Sequence, residues 1–220
     1  MESKIDWNRL ALTALAQYNL GAAQLIFLGH SENVMFRVDT RDGENFATFK
    51  VLRIHHPIAQ LGDRIWQQQV VIESELMWLT ALHQDTNLVV PYPLQNLSGA
   101  FITSVAIDDT SATLNCTLLN WVNGSPLDSE PTPTQARRVG ELMAQLHQHT
   151  SLWELPSGFT RPKYDWEQLH TSLMGLRSLV DTGTISVQPN EHDYFLETVP
   201  YVTERLCSKY LQSEAFLFES

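Results

Sequence analysis

The first part of the chain alternates hydrophobic and polar residues in the way that β-strands require. Leu25–Leu28 is a short apolar run, and Val34–Thr40 alternates apolar with polar side chains. Thr40–Glu44 carries the Asp-Gly pair that is typical of a hairpin turn, and Phe46–Ile54 follows as a third strand, which the proline of His55–Pro57 ends. The pattern therefore predicts strand, tight turn, strand, hairpin and strand in succession.

Helical patterns flank these strands on both sides. Ile5–Tyr18 is rich in alanine and carries apolar residues on one side, which predicts a small helix packed on the same lobe. After a loop at Ile58–Gly62, the segment Asp63–Leu82 predicts a long helix with Asp63 as its N-cap. The apolar stripe of this helix consists of Ile72, Leu76, Leu79 and Leu82.

Three further segments have strand character. Asn87–Tyr92 is an apolar run that enters a strand and is ended by prolines, while Ala100–Ala106 and Ala112–Trp121 have the pattern of an antiparallel pair. We therefore predict an α+β fold whose first lobe is a five-stranded antiparallel sheet with one main helix.

The composition changes at Asn120–Pro126, where a strand pattern gives way to Gly and Pro and then to helical periodicity. The next predicted helix is capped by Thr132 or Thr134 and runs to His149. Its predicted buried face consists of Val139, Leu142, Met143 and Leu146, and two more helices are predicted at Asp165–Val180 and Glu191–Leu211. We divide the chain into a first lobe at 1–119, a hinge at 120–130 and a partial helical C-terminal lobe at 131–220.

A carboxylate falls on the buried side of the long helix. Glu75 lies three residues after Ile72 and four before Leu79, so it sits on or beside the apolar stripe. A carboxylate in such a place normally needs a cationic partner, because an unpaired buried charge is very costly. The sequence therefore predicts that a basic side chain meets Glu75.

The third strand offers two basic side chains for that role. Because side chains alternate across a strand, Lys50 and Arg53 must point to opposite faces, and periodicity alone does not choose between them. With the glycine-bearing turn Gly29–Asn33, a base at the end of the strand and an acid on the next helix are what a nucleotide-phosphate site of the protein-kinase type needs. Taken singly, each feature also has an ordinary interpretation, as a hairpin turn, a solvated strand-end charge or a surface helix pair.

Composition and charge narrow the class of protein. An excess of 25 acidic over 14 basic residues gives a net charge of −11, which argues against a nucleic-acid or membrane-surface binder. Apolar runs are too short to span a bilayer and the N-terminus does not resemble a signal peptide, so we expect a cytoplasmic protein. Cys116 and Cys207 lack metal-ligand spacing, and the eight histidines form no zinc pattern. We expect free thiols and no protein-bound transition metal.

Several segments together carry a family resemblance. They are Gly29–Asn33, Phe36–Val38, Val51–Ile54, Ser74–Leu79, Leu119–Gly124 and Gly140–His147. In order and spacing they resemble the aminoglycoside phosphotransferase and choline kinase superfamily, in particular its homoserine-kinase-type and antibiotic-kinase-like members. The resemblance implies a protein-kinase-like, bilobal fold that uses ATP and magnesium to phosphorylate a hydroxyl of a small molecule.

The resemblance also implies which residues bind the nucleotide. The backbone amides of Gly29, His30, Ser31, Glu32 and Asn33 would cover the phosphates. Arg53 would take the base position, with Lys50 as the second choice, and Glu75 would be its helix partner. Leu119, Asn120, Trp121 and Val122 would offer backbone groups to the adenine edge. On this interpretation, 1–119 is the nucleotide-binding lobe.

One part of the family pattern is missing from the sequence. Kinases of this superfamily carry an HGDxxxxN-like loop that orients the acceptor hydroxyl, and then an Asp that holds magnesium. Neither occurs here: His192-Asp193 lies inside a predicted helix, and His83-Gln84-Asp85 lies in the wrong lobe. Because the sequence ends at Ser220, about where a strand leading to that loop would begin, we expect a truncated chain with no catalytic or metal-binding residues of its own and little activity.

Two further expectations follow from the missing part. Apolar faces of the helical lobe would lie open, so a homodimer through exposed C-terminal helices is expected. The alternative to a kinase is a non-enzymatic nucleotide-binding or interaction module on the same scaffold, and a weaker third possibility is a sheet domain without a ligand.

Overall fold

A computed structural model describes residues 5–42, 46–56, 64–107, 112–125 and 130–162, with positions 171, 174, 175, 178, 179 and 181–184 beyond them. The chain divides into two compact units, Met1–Pro162 and Lys163–Ser220. The first unit contains the sheet, its helices and the connector at 153–162. The predicted division into lobes at 120–130 stays a prediction.

The sheet has five strands, all antiparallel to their neighbours. They are β1 Ala23–His30, β2 Val34–Asp42, β3 Phe46–Ile54, β4 Ile102–Ala106 and β5 Thr113–Asn120, in the spatial order β1-β2-β3-β5-β4. The last strand in sequence therefore lies between β3 and β4, and the register places Thr117 opposite Arg53. The predicted five-stranded antiparallel sheet is confirmed.

Three α-helices are described within the first unit: α1 Trp7–Leu15, α2 Gln69–Asp85 and α3 Pro133–Leu152. Asp6 caps α1 by accepting a hydrogen bond from the backbone N–H of Arg9. Thr132 caps α3, and its side chain and that of Gln135 form a reciprocal capping box. Of the two predicted caps for this helix, Thr132 is thus the one used.

The two faces of the sheet are covered by different helices. On one face α1 packs on a large apolar core formed by Leu10, Ala11, Ala14, Leu15, Tyr18, Val34, Phe36, Val38, Leu52, Ile54, Val105, Cys116 and Leu118. On the other face α2 packs through a smaller cluster of Ile72, Leu76 and Leu119. Burial raises the pKa of the Cys116 thiol to about 12, so this free cysteine is an inert core residue.

Two predicted boundaries were wrong. β1 continues through Gly29 and His30, with a register shift between Phe27 and Gly29, so the predicted turn is shorter than Gly29–Asn33. The long helix begins at Gln69 and not at Asp63, because Arg64–Gln67 forms a tighter 3-10 helix and extended Gln68 separates the two. Asp63 itself lies outside the described residues.

The predicted strand at Asn87–Tyr92 was also wrong. The segment forms no strand, and the only bridge nearby joins Pro93 to Leu119. The prolines at 91 and 93 explain this, because proline has no N–H to give to a sheet ladder. The backbone N–H of Tyr92 donates instead to the side-chain oxygen of Asn120.

The predicted buried face of α3 is exposed. Val139, Leu142 and Met143 remain 44%, 43% and 46% accessible, and no residue of this helix is buried. Helical spacing specifies which residues share a face but not what covers it. Among the described residues, the end of α3 meets α2 through His149 Nε2, which lies 3.1 Å from Asp85 Oδ2. The predicted homodimer stays a prediction.

Beyond the first unit, the described positions 171, 174, 175, 178 and 179 are helical, as expected for the predicted helix at Asp165–Val180, and position 181, one residue past its predicted end, is helical too. The predicted helix at Glu191–Leu211 lies outside the described residues. Within the described ranges, no helix has the length and apolar character needed to cross a membrane.

Candidate nucleotide-phosphate site

The centre of the candidate site is an ion pair between the sheet and α2. Nη1 of Arg53 donates to Oε1 of Glu75 at 2.8 Å. The side chains are 13% and 26% exposed, so both charges are largely removed from water. In such surroundings the loss of Glu75 leaves the charge of Arg53 without compensation. The contact that the sequence predicted between a basic side chain and Glu75 is present.

The structure decides between the two bases of β3. Lys50 shares its face of the strand with Leu52 and Ile54, which are fully buried in the core beneath α1. Its Nζ donates to the hydroxyls of Thr40 and Thr48, each at 3.1 Å. Arg53 therefore lies on the α2 side of the sheet, and of these two bases it is the one that meets Glu75.

Thr117 and His55 extend the ion pair, and neither was predicted from the sequence. Nε of Arg53 donates to Oγ1 of Thr117 at 3.3 Å, and Nε2 of His55 lies 3.2 Å from the same oxygen. Burial, with the charge of Arg53 as a second cause, lowers the pKa of His55 from 6.5 to about 3. His55 is therefore neutral at physiological pH. Only the register between β3 and β5 reveals that Thr117 faces Arg53.

One donor of Arg53 has no partner. Nε and Nη1 are hydrogen-bonded, whereas Nη2 is buried and has no acceptor in the described structure. Buried polar groups are nearly always satisfied, so an orphaned N–H in a native site needs an explanation. With Nε bonded to Thr117 and Nη1 to Glu75, the N–H groups of Nη2 are the donors of Arg53 that remain for a further acceptor, and phosphate oxygens are acceptors of a suitable kind.

The turn near this pair presents backbone and not the histidine side chain. Ser31 N–H donates to the carbonyl of Asn33 at 3.2 Å, which closes the turn between β1 and β2. The ring of His30 points to the α1 face, where it packs edge-on against Trp7 with the ring centres 5.2 Å apart. Its Nε2 lies 2.8 Å from the carbonyl oxygen of His56. Only the backbone of His30 is thus left for a role beside Arg53.

The predicted adenine-contacting segment is partly occupied by the protein itself. The N–H of Asn120 donates to the carbonyl of Tyr92 at 3.0 Å, and that of Trp121 donates to the carbonyl of Phe49 at 3.3 Å. The Leu119 side chain is 4% exposed and belongs to the α2 cluster. Val122 is the first residue after β5 whose backbone has no partner among the described residues.

An aromatic surface lies on the same sheet face as Arg53. The guanidinium of Arg37 stands over the rings of Phe49 and Trp121, 5.3 Å and 5.9 Å from their centres. Arg37 makes two hydrogen bonds to Asp39, at 2.8 Å and 3.0 Å. Because β2 pairs Arg37 with Val51, this surface lies along β3 from Arg53 toward Phe49, beside the start of the predicted hinge. Planar groups of this kind suit the face of a purine base.

Comparison with known proteins gives matches only at the level of structure. No protein-family model matches the chain, and no curated protein matches it. A solved structure of a microcompartment-associated aminopropanol kinase is 31% identical, with a TM-score of 0.57, and the match covers 73% of this chain and 46% of that one. An amicoumacin kinase in complex with AMP-PNP, Ca2+ and Ami is 16% identical, with a TM-score of 0.58, covering 83% of this chain and 55% of that one.

The chain has the kinase-like fold of the aminoglycoside phosphotransferase and choline kinase superfamily, to which both matched structures belong. Both matched structures are small-molecule kinases of this superfamily, so the scaffold is that of a phosphotransferase. The chain spans about half the length of each of these kinases. The resemblance carried by the sequence segments and the predicted kinase-like fold are both confirmed.

The resemblance to kinases also implies magnesium, which carboxylate ligands would hold. Within the ranges that the structure describes, no group of three or more His, Cys, Asp or Glu side chains could hold a metal ion. The described residues therefore fit a nucleotide phosphate at Arg53 and do not make a magnesium site by themselves.

Proposed function

We propose that this chain is the nucleotide-binding part of an ATP-dependent phosphotransferase that acts on a hydroxyl of a small molecule. The observation that carries the proposal is the Arg53–Glu75 pair with its one vacant guanidinium nitrogen. ATP, when bound, supplies the γ-phosphoryl group that is transferred.

Each part of the site has a separate task in this proposal. Arg53 contacts phosphate oxygens through Nη2, while Glu75 and Thr117 hold the other donors and fix the plane of the guanidinium. The backbone of the turn between β1 and β2 covers the phosphates. Val122 offers backbone groups to the adenine edge, next to the surface formed by Arg37 and its aromatic neighbours.

The acceptor is proposed to be an amino alcohol. The support is the 31% identity to an aminopropanol kinase, which makes short amino alcohols the first acceptors to test. The 220 residues contain no HGD-type loop, so this chain alone is expected to transfer phosphate slowly or not at all. A second candidate is a module that binds the nucleotide without transferring phosphate, and the Arg53–Glu75 pair supports it equally.

Substitution of Glu75 by Gln tests the proposal. The change removes the charge that orients Arg53, so we expect the affinity for ATP to fall about tenfold or more, measured by isothermal titration with magnesium present. Glu73→Gln is the matched control, because Glu73 lies on the same helix and only accepts a bond from Gln69 at 2.7 Å. We expect this control to bind like the unchanged chain.

Two results would contradict the proposal. The first is an unchanged chain that shows no heat of binding with ATP, and the second is an equal loss in both Gln variants. Formation of ADP with and without an amino alcohol then separates the two candidate functions. Release of ADP that depends on the acceptor indicates the kinase, whereas binding without turnover indicates the nucleotide-binding module.

A further inference from the structure

The connector at 153–162 binds α2 at the turn that carries Glu75. The N–H of Thr160 donates to Oγ of Ser74 at 2.8 Å, and Ser74 is fully buried. In the next residue, Nη1 of Arg161 donates to the carbonyl of Val71 at 3.3 Å. Two consecutive residues of the connector thus attach to one turn of α2. A segment far away in sequence, after α3, therefore fixes the place of this turn.

The side chain of Arg161 is held from two sides. Its Nη1 lies 3.8 Å from Oε2 of Glu75, and its guanidinium carbon stands 4.8 Å from the ring centre of Trp66. Trp66 belongs to the 3-10 helix that precedes α2. Because a planar guanidinium can stack on a ring and bind a carboxylate together, these contacts restrict its orientation.

Glu75 therefore lies between two arginines, one from β3 and one from the connector. Oε1 receives the bond from Arg53 at 2.8 Å, and Oε2 faces Arg161 at 3.8 Å. A carboxylate with a cation at each oxygen is less free to rotate than one with a single partner. Two guanidinium groups around one carboxylate also leave a net positive charge, which favours an anion near Arg53.

We propose that Arg161 is a positioning residue for the nucleotide-phosphate site. It fixes the turn of α2 and the carboxylate of Glu75, and through Glu75 it fixes the guanidinium of Arg53. Kinase activity in general depends on whether the helix glutamate reaches the basic residue of the third strand. The proposal deepens the proposed function in its effect on phosphate binding, whereas its effect on α2 is independent of any nucleotide.

A double-mutant cycle on ATP affinity tests the action through Glu75. We expect Arg161→Ala to weaken ATP binding about fivefold in the unchanged background and less than about twofold in the Glu75→Gln background. Arg161→Lys is expected to recover part of the loss, because it keeps the positive charge while losing the planar group. Arg138→Ala, at an exposed position of α3, is the control and is expected to change nothing.

An equal loss on Arg161→Ala in both backgrounds would overturn the proposal, since Arg161 would then act without Glu75. No loss in the unchanged background would overturn it as well. If Arg161 only stabilised the fold, Arg161→Ala would weaken ATP binding by the same factor whether residue 75 were Glu or Gln.

Hydrogen exchange without nucleotide gives a second, separate measurement. We expect Arg161→Ala and Ser74→Ala each to speed amide exchange in residues 71–79 of α2 by about threefold or more, with α1 unchanged. Unchanged exchange in α2 would overturn the proposal. If the unchanged chain fails to bind ATP, the proposed function fails, and the exchange result alone then decides whether Arg161 positions α2.

Discussion

The two faces of the sheet are built from alternate residues of the same strands, yet they serve different ends. On the α1 face, β3 contributes Leu52 and Ile54, both fully buried in apolar surroundings. On the α2 face, the intervening Arg53 is held by Glu75 and Thr117 and keeps one donor vacant. The α1 face is filled by apolar side chains, whereas the α2 face contains a buried donor, Arg53 Nη2, that has no acceptor in the described structure. We therefore expect substitutions at adjacent positions of one strand to change the stability and the proposed ATP binding separately.

The largest expected effect comes from the α1 face. Leu52→Ala removes a fully buried side chain from the α1 core and is expected to lower the free energy of unfolding by about 3 kcal/mol. ATP affinity of the protein that remains folded is expected to change little. Urea denaturation followed by titration of the folded fraction measures both. Leu12→Ala, at a position that is 55% exposed, is the control for the substitution itself.

A weakened ATP affinity in Leu52→Ala at full folding would show that the two faces are not separable. A loss of stability in Leu12→Ala as large as that in Leu52→Ala would show that burial is not the cause.

The next effect concerns pH and a histidine of the α2 face. Because His55 has a pKa of about 3 in the folded chain and 6.5 when exposed, the unfolded chain binds more protons between these values. Its contribution to stability is complete above pH 6.5 and is lost as the pH falls toward 3. From pH 7 to pH 5 we expect a loss of about 2 kcal/mol from this one group.

Urea denaturation at several pH values checks this expectation. His55→Gln can still reach Thr117 but does not titrate. The fall in the free energy of unfolding from pH 7 to pH 5 is therefore expected to be smaller in this variant by about 2 kcal/mol. His83→Asn is the control, since His83 is exposed and stacks on Tyr92. If the free energy of unfolding fell as much between pH 7 and pH 5 in His55→Gln as in the unchanged chain, His55 would not be a neutral buried histidine.

The smallest expected effect compares one buried threonine on each face. Thr117→Val removes the acceptor of Arg53 Nε, and Thr103→Val removes the partner of Asn96 Nδ2 and Tyr18 on the α1 face. Each change is expected to cost about 1 kcal/mol of stability, since both hydroxyls are buried and bonded. Only Thr117→Val is expected to weaken ATP binding, by about threefold.

Isothermal titration of the two valine variants, beside their urea midpoints, checks this pair. Equal ATP affinities would mean that Thr117 does not orient Arg53. A weaker affinity in Thr103→Val than in Thr117→Val would place the nucleotide on the other face of the sheet.

Local rules were reliable where the pattern was local. The bounds of β3 were predicted correctly, and Thr132 was one of two predicted caps for α3. They failed where a residue that is distant in sequence decides the outcome. The N–H of Tyr92 donates to the Asn120 side chain and not to a neighbouring strand, and Val139, Leu142 and Met143 of α3 are exposed although their spacing predicted a buried face. The few residues around each position, from which such a pattern is taken, do not determine either outcome.

The sequence alone determined that Lys50 and Arg53 lie on opposite sides of β3 and that Glu75 lies beside the apolar stripe of α2. Both facts follow from the repeat of side chains along a strand and a helix. Only the tertiary structure decided that α2 covers the Arg53 side, that Thr117 lies opposite, and that Arg161 returns from the connector to Glu75. The reason is physical: periodicity is set by neighbours along the chain, whereas strand order, register and the choice of helix for each face are set by packing between distant segments.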